Sequence, residues 1–269
     1  MDPESFRAFQ RIAQDRAGIH LRDGKAALVQ ARLAKRLREL GLATERDYLK
    51  RLQRGGEEEL VLFLDAISTN FTKFFREADH FETLREGVAA ARARGQRRFR
   101  FWCAGCSTGE EPYTAAMVLA DVLDGCDWRI LATDLSTRAL ARAAAGSYGG
   151  EEVREIPAGL RARWLVPAEA DGSGPRFTVA EALRRRIVFR RLNLAVRPYP
   201  LHGPLDAVFC RNVMIYFDRP MREALVNELE RLLRPGAPLF VGHSETLNGI
   251  AVRLRTERPS VYRMPESSG

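Results

Sequence analysis

The chain has 269 residues, 45% of them hydrophobic, enough for one large domain or two modest ones with a core that needs no staples. No apolar run approaches the roughly 18 residues of a membrane span, and the opening MDPESFRAFQRIAQDR lacks the apolar centre of a signal peptide; both predict a cytoplasmic protein without membrane insertion. Lys and Arg total 43 against 35 acidic residues, a formal charge of +8 that suits an acidic partner, and four cysteines in so long a chain are no disulfide framework.

Residues 1 to 75 read as a helical domain rich in Leu, Ala, Arg, Glu and Lys. The clearest helix is Lys25 to Leu40, where Val29, Leu33, Leu37 and Leu40 form one apolar stripe and Gly41 supplies the stop. Thr44, with Asp47 three residues on, reads as the cap of the next helix, and another runs from about Glu57 to Ile67. Residues 76–98 read as a linker containing a helix and a basic tail. From 99 to 269 the rhythm changes: strands at FRFWC, WRILATD, IVFRRLNL, LDAVFCRN and APLFVGHSE alternate with helices, which predicts a mostly parallel sheet with right-handed crossovers. AVRLRTE and SVYRM close it as an antiparallel edge. Residues 155–186 break the rhythm and read as a β-ribbon insertion turning at Asp-Gly-Ser-Gly-Pro.

The stretch CAGCSTGEEP, residues 103–112, lies between the first strand and its helix, where open α/β sheets bind ligands. Its C-x-x-C supplies two zinc ligands of the usual four, with no second such pair and with His202 and His243 isolated, so no metal is expected. A dithiol site has no need of the carboxylates that follow. Gly105 and Gly109 allow close backbone approach. Glu110 and Glu111 at the helix start would repel a pyrophosphate, which argues against NAD, FAD and ATP. They suit a cationic cofactor without phosphate, S-adenosylmethionine. Asp134, ending the second strand, is placed to accept from ribose hydroxyls or to cap the next helix, and Asn193, after the third, to meet an adenine edge.

In order along the chain stand STNFTKFFRE, CAGCSTGEEPYTAAMVL, LATDLSTRAL, RLNL, DAVFCRNVMIYFD and LFVGHSETL. Together they resemble the CheR family, the chemotaxis receptor glutamate O-methyltransferases, over nearly the whole chain. The resemblance implies a class I S-adenosylmethionine-dependent methyltransferase fold: a Rossmann-like, mostly parallel seven-stranded sheet with a small β-subdomain insertion, plus an all-α N-terminal domain. It implies methyl transfer from S-adenosylmethionine to glutamate side chains on the cytoplasmic helices of methyl-accepting chemoreceptors, giving methyl esters and S-adenosylhomocysteine. The pathway it implies is chemotaxis or a similar chemosensory one.

By the same resemblance Arg76 guides the substrate carboxylate and contacts the cofactor, and Tyr216 stands beside the transferring methyl. Asn70, Thr72, Asp134, Asn193, Leu194, Arg211 and Asn212 match cofactor contacts. The acidic contact is Glu110 or Glu111, with Glu110 favoured. The basic face of the Lys25–Leu40 helix, with Arg32, Lys35, Arg36 and Arg38, matches the receptor-binding surface. The insertion matches the subdomain that in some members docks a peptide from the receptor C-terminus. His243 reads as structural. A monomer is expected. A nucleic-acid methyltransferase would carry Asp/Asn-Pro-Pro-aromatic after the fourth strand, where this chain has Arg-Asn-Val-Met, so no nucleic-acid partner is expected.

Overall fold

Four helices make the N-terminal unit. α1 (Pro3–Ala17) starts at Asp2, whose side chain accepts from Ser5 N, and stops at Gly18. α2 (Ala26–Leu40) buries the expected stripe of Val29, Leu33 and Leu37 and ends at left-handed Gly41. α3 (Glu45–Arg54) is capped by Thr44, which accepts from Asp47 N, and α4 (Gly56–Ile67) closes the unit. Phe9, Leu33, Tyr48 and Phe63, all fully buried, meet at its centre. Each such side chain contributes roughly 1.5–3 kcal/mol by leaving water. The computed structural model describes residues 1–68, 71–169, 172 and 174–266.

The stretch read as a linker holds α5 (Asp79–Ala93), and Phe81, Leu84 and Val88 place its inner face in the core of the sheet. Those three positions recur at helical spacing, so this segment is packed cover for the sheet rather than a spacer. The order then runs β1 (Arg98–Ala104), α6 (Glu110–Val122), β2 (Asp127–Asp134), α7 (Thr137–Ala145), β3 (Ser147–Gly149), α8 (Ala158–Trp164), β4 (Leu165–Ala168), β5 (Arg176–Val179), α9 (Glu181–Arg184), β6 (Ile187–Arg191), β7 (Ala207–Cys210), α10 (Arg219–Leu232), β8 (Pro238–Val241), β9 (Arg255–Arg258) and β10 (Val261–Arg263).

Seven strands form one sheet in the order β6-β2-β1-β7-β8-β10-β9. It is parallel from β6 to β8, and β10 and β9 pair antiparallel at the far edge. The chain fills one side of β1 first, then crosses to β7 on the other. That reversal opens a crevice above the carboxyl ends of β1 and β7. The insertion is a separate antiparallel sheet, β3-β5-β4; its first strand was not foreseen, and Asp171 and Ser173 of the expected turn lie outside the described residues.

The helical unit is tied onto this crevice. Asp65 of α4 accepts from Thr137 N at 3.1 Å and Thr137 Oγ1 at 2.9 Å, at the start of α7. His20 N donates to Tyr216 O at 2.7 Å, and Ile19 bridges Phe217. The N-terminal unit is thereby one wall of the site.

Candidate active site

β1 delivers the chain into the 105–109 turn, whose shape demands glycine twice. Gly105 has φ +80, and a Cβ there would stand 2.4 Å from Val213 Cγ2. Gly109 has φ +98, and a Cβ would meet Ala143 Cβ and Tyr148 OH at 2.8 Å. Gly105 N and Cys106 N both donate to Thr133 O, at 2.8 and 2.9 Å. Asp134, at the end of β2, accepts from Ser107 N at 2.8 Å and from Ser136 N at 2.9 Å. Burial pushes its carboxyl up, against the pull of those N–H groups. The cysteines of the turn are buried free thiols, both raised by burial.

Beyond the turn lies a cavity of about 550 Å³. Of the residues read from sequence, it brings together Arg32, Thr72, Arg76, Asp134, Asn193, Leu194, Arg211, Asn212 and Tyr216. Asn70 lies outside the described residues. Glu110, the favoured acid, is not on the cavity wall: it is buried and accepts from Thr108 Oγ1 at 2.7 Å. Glu111 lines the cavity instead.

Glu111 is lifted by burial and pulled back by Arg211, whose Nη1 donates to Oε2 at 3.2 Å. Its other oxygen, Oε1, is buried without a hydrogen-bond partner apart from the weakly donating Cys103 thiol beside the carboxyl. A buried carboxylate oxygen left open costs free energy that a cationic ligand would recover. That orphaned acceptor, with the Asp134 carboxyl and no Lys in the turn, fits the ammonium and ribose ends of S-adenosylmethionine and disfavours a phosphate.

Arg76 stands at the mouth with 28% of its side chain exposed. Its Nη1 donates to Phe71 O at 3.2 Å, and its guanidinium lies 5.7 Å from the Phe71 ring centre. Residues 75 and 77 on either side are left-handed, φ +54 and +55, a strained backbone that costs on the order of 1–3 kcal/mol per residue. Arg211, with 2% of its side chain exposed, braces this segment from beneath. It donates through Nη2 to Arg76 O, and it pairs with Glu77 Oε2 at 2.9 Å. Asn193 faces partly away: its Nδ2 donates to Arg16 O at 2.6 Å and its Oδ1 accepts from Ala195 N at 3.0 Å.

Tyr216 ends a short 3₁₀ turn, Met214–Tyr216. That turn is organised by Glu245, a residue the sequence reading passed over. The buried carboxylate accepts from Gly242 N at 2.6 Å, Asn212 N at 2.8 Å and Ile215 N at 3.2 Å. His243 sits outside the cavity wall with its Nε2 3.2 Å from Asp79 Oδ1. Glu77, His80 and His243 bring ligand-type atoms within 4.8 Å of one another. The Arg211 guanidinium on Glu77 would repel a dication there.

The match to known families is decided by two regions. Residues 70–262 match the CheR methyltransferase SAM-binding domain, and residues 4–68 match the CheR all-alpha domain. The chain belongs to the CheR methyltransferase family. Like its relatives in that family, it is an S-adenosylmethionine-dependent methyltransferase. The chemotaxis protein methyltransferase of Escherichia coli (strain K12) is 38% identical over 265 residues, covering 96% of this chain and 90% of that protein. Chemotaxis protein methyltransferase 2 of Pseudomonas aeruginosa is 38% identical over 262 residues, covering 96% and 92%. In this CheR family member no helix among the described residues is long and apolar enough to cross a membrane.

The receptor-facing residues read from α2 divide. Lys35 is 72% exposed in its side chain and pairs with Glu39 at 3.9 Å, and Arg38 is exposed. Arg36 turns inward and grips buried Glu59 at 2.8 and 3.0 Å, together with Tyr48. Arg32 donates to Ile67 O and lines the cavity.

Proposed function

We propose that this CheR family member transfers a methyl group to glutamate side chains on the cytoplasmic helices of methyl-accepting chemoreceptors, forming methyl esters. The observation that carries the reading is Arg76: a partly exposed guanidinium on the cavity wall, its backbone carbonyl held by Arg211 and its Nε 4.0 Å from Glu77 Oε1. A planar fork there suits bidentate capture of a carboxylate.

The nucleophile needs no base, since a glutamate with an unperturbed pKa of about 4.3 is already ionised at neutral pH. Bound S-adenosylmethionine supplies an electrophilic methyl on a sulfonium. The work left to the protein is orientation and exclusion of water. In this account Glu111 receives the cationic amino group and Asp134 the ribose hydroxyls. Thr72, Asn193, Leu194 and Asn212 complete the cofactor walls, with Asn70 on the same segment. Arg76 aligns the substrate carboxylate, and Tyr216, fixed through His20 and Glu245, closes the space beside the methyl. Arg211 acts as a brace for Arg76 and Glu111 rather than as a cofactor ligand. Exposed Lys35 and Arg38, with Arg32 nearer the cavity, favour approach of an acidic helix. The protein acts as a monomer.

The test is mass-spectrometric mapping of receptor peptides after incubation with cofactor and enzyme. Methylation confined to glutamate side chains supports the reading; methylation of amines or of nucleic acid instead would overturn it.

A further inference from the structure

The large apolar side chains left exposed are not scattered at random. Among the described residues seven are exposed, and three of them, Leu28 at 42%, Phe71 at 73% and Ile215 at 41%, line the one 550 Å³ cavity. They come from three separate segments: α2, the stretch before Arg76, and the 3₁₀ turn that ends in Tyr216. Exposed apolar groups gathered around a cleft from distant parts of a chain mark a contact surface rather than incidental exposure. Arg22 and Lys25 line the same cavity, are exposed, and make no ion pair with a described residue. The cavity rim therefore combines exposed apolar side chains with two cations, Arg22 and Lys25, that pair with no described acid.

We propose that this mouth is a docking surface for an amphipathic acidic helix, with Leu28, Phe71 and Ile215 as its apolar contacts. The inference rests on the receptor reading above and adds what selects a glutamate within it. A carboxylate reaching Arg76 brings the residues one helical turn to either side, at i±3 and i±4, against the rim. Apolar residues at those positions bury against the three side chains, while further acidic residues meet Arg22 and Lys25. A glutamate surrounded by basic or bulky polar neighbours is a poor substrate even though its carboxylate is identical. Phe71 carries the largest share, because it is the most exposed of the three and offers a flat ring beside the Arg76 guanidinium.

The test measures initial methyl transfer against chemoreceptor concentration in membrane vesicles. It compares wild type, Leu28→Ser, Phe71→Ser, Phe71→Leu and Leu62→Ser; Leu62 is an exposed leucine on α4 away from the cavity. S-adenosylhomocysteine binding is measured by calorimetry on the same preparations. The KM for receptor should rise about tenfold in Phe71→Ser and several-fold in Leu28→Ser, as expected for losing one buried apolar contact each. Phe71→Leu should restore most of the loss, Leu62→Ser should match wild type, and product binding should hold in all of them. Unchanged KM in Leu28→Ser and Phe71→Ser with an active wild type would overturn the docking surface alone. Cofactor binding without any receptor methylation by the wild type would overturn the receptor reading and the docking surface with it.

Discussion

Arg211 and Glu77 form an ion pair under the segment that carries Arg76, with only 2% and 11% of their side chains exposed. Because Arg211 also donates to Arg76 O and to Glu111, one guanidinium joins the Arg76 segment to the Glu111 wall of the cavity. Removing one partner of a buried pair leaves the other charged and unsolvated, at a cost of about 3–5 kcal/mol. Glu77→Ala should therefore unfold at markedly lower urea. Its kcat should also fall by about a hundredfold if the Arg76 segment relaxes from its left-handed flanks. Glu77→Gln, which keeps the shape and one acceptor, should lose less on both counts. Urea titration and steady-state rates on the same samples check this.

The two neighbouring carboxylates should separate cleanly. Glu111→Gln removes the buried oxygen that has no strong donor and should weaken S-adenosylhomocysteine binding by at least about tenfold, the worth of one charge-assisted hydrogen bond. Glu110→Gln, whose side chain answers Thr108 away from the cavity, should bind within about twofold of wild type. Calorimetric titration of both variants decides between them. Equal losses would mean that helix α6 presents a different face to the cofactor.

Much of this arrangement is legible in the sequence. The caps at Gly41 and Thr44, the strand–turn–helix at 103–112 and the acid at the end of β2 stand where local rules place them, because each depends on neighbours a few residues away. What is hidden depends on docking. Consecutive residues on a helix point about 100° apart, so whether Glu110 or Glu111 faces the ligand follows from how α6 lies on the sheet. Arg36 leaves the basic face of α2 because its partner, Glu59, lies 23 positions along the chain. The tie from His20 to Tyr216 joins residues nearly two hundred apart. No motif announces it, and it is why a domain read only as receptor-facing also walls the cavity.

Glu245 should prove as necessary as any residue touching substrate. Its three backbone donors make no other hydrogen bond among the described residues, and burial already pushes its carboxyl up. Glu245→Ala should cost about 3 kcal/mol by orphaning them. It should also broaden the Tyr216 resonance in aromatic NMR spectra, while Glu245→Gln retains part of the contact. An Ala variant as stable as wild type, with Tyr216 unperturbed, would remove Glu245 from this role.

His80 gives the protein a defined acid sensitivity. The ring is fully buried and its Nε2 lies 2.8 Å from Ser260 Oγ, which itself donates to Pro259 O; Nδ1 makes no hydrogen bond among the described residues and lies 3.7 Å from Glu77 Oε2. Burial first, then the Arg211 charge, pushes its pKa down to about 4, against the opposing pull of Asp79 and Glu77. The unfolded chain binds the proton near pH 6.5, so the folded state loses stability as pH falls from there toward 4. The loss amounts to on the order of 3 kcal/mol. Glu77, held below the usual carboxylate range by Arg211 despite its burial, gives up its contribution only below about pH 4.3. Melting curves of wild type and His80→Gln across this window should converge as pH falls, since the variant keeps a donor for Ser260 and has nothing to titrate. Subtracting the two cancels the raised acids Glu111, Asp134 and Glu245. Parallel curves would show that His80 is not the group responsible.

The central claim is that Arg76 steers a substrate carboxylate onto a methyl group held above the 105–109 turn. The most direct measurement is transfer of labelled methyl from S-adenosylmethionine to chemoreceptor-containing membranes by wild type, Arg76→Lys and Arg76→Ala, followed by mild base. Wild type should leave base-labile label on the receptor band, and Arg76→Lys should keep partial activity, since Lys retains the charge but not the fork. Arg76→Ala should fall by about a hundredfold or more while S-adenosylhomocysteine still binds. Base-stable label, or an Arg76→Ala variant as fast as wild type, would contradict it.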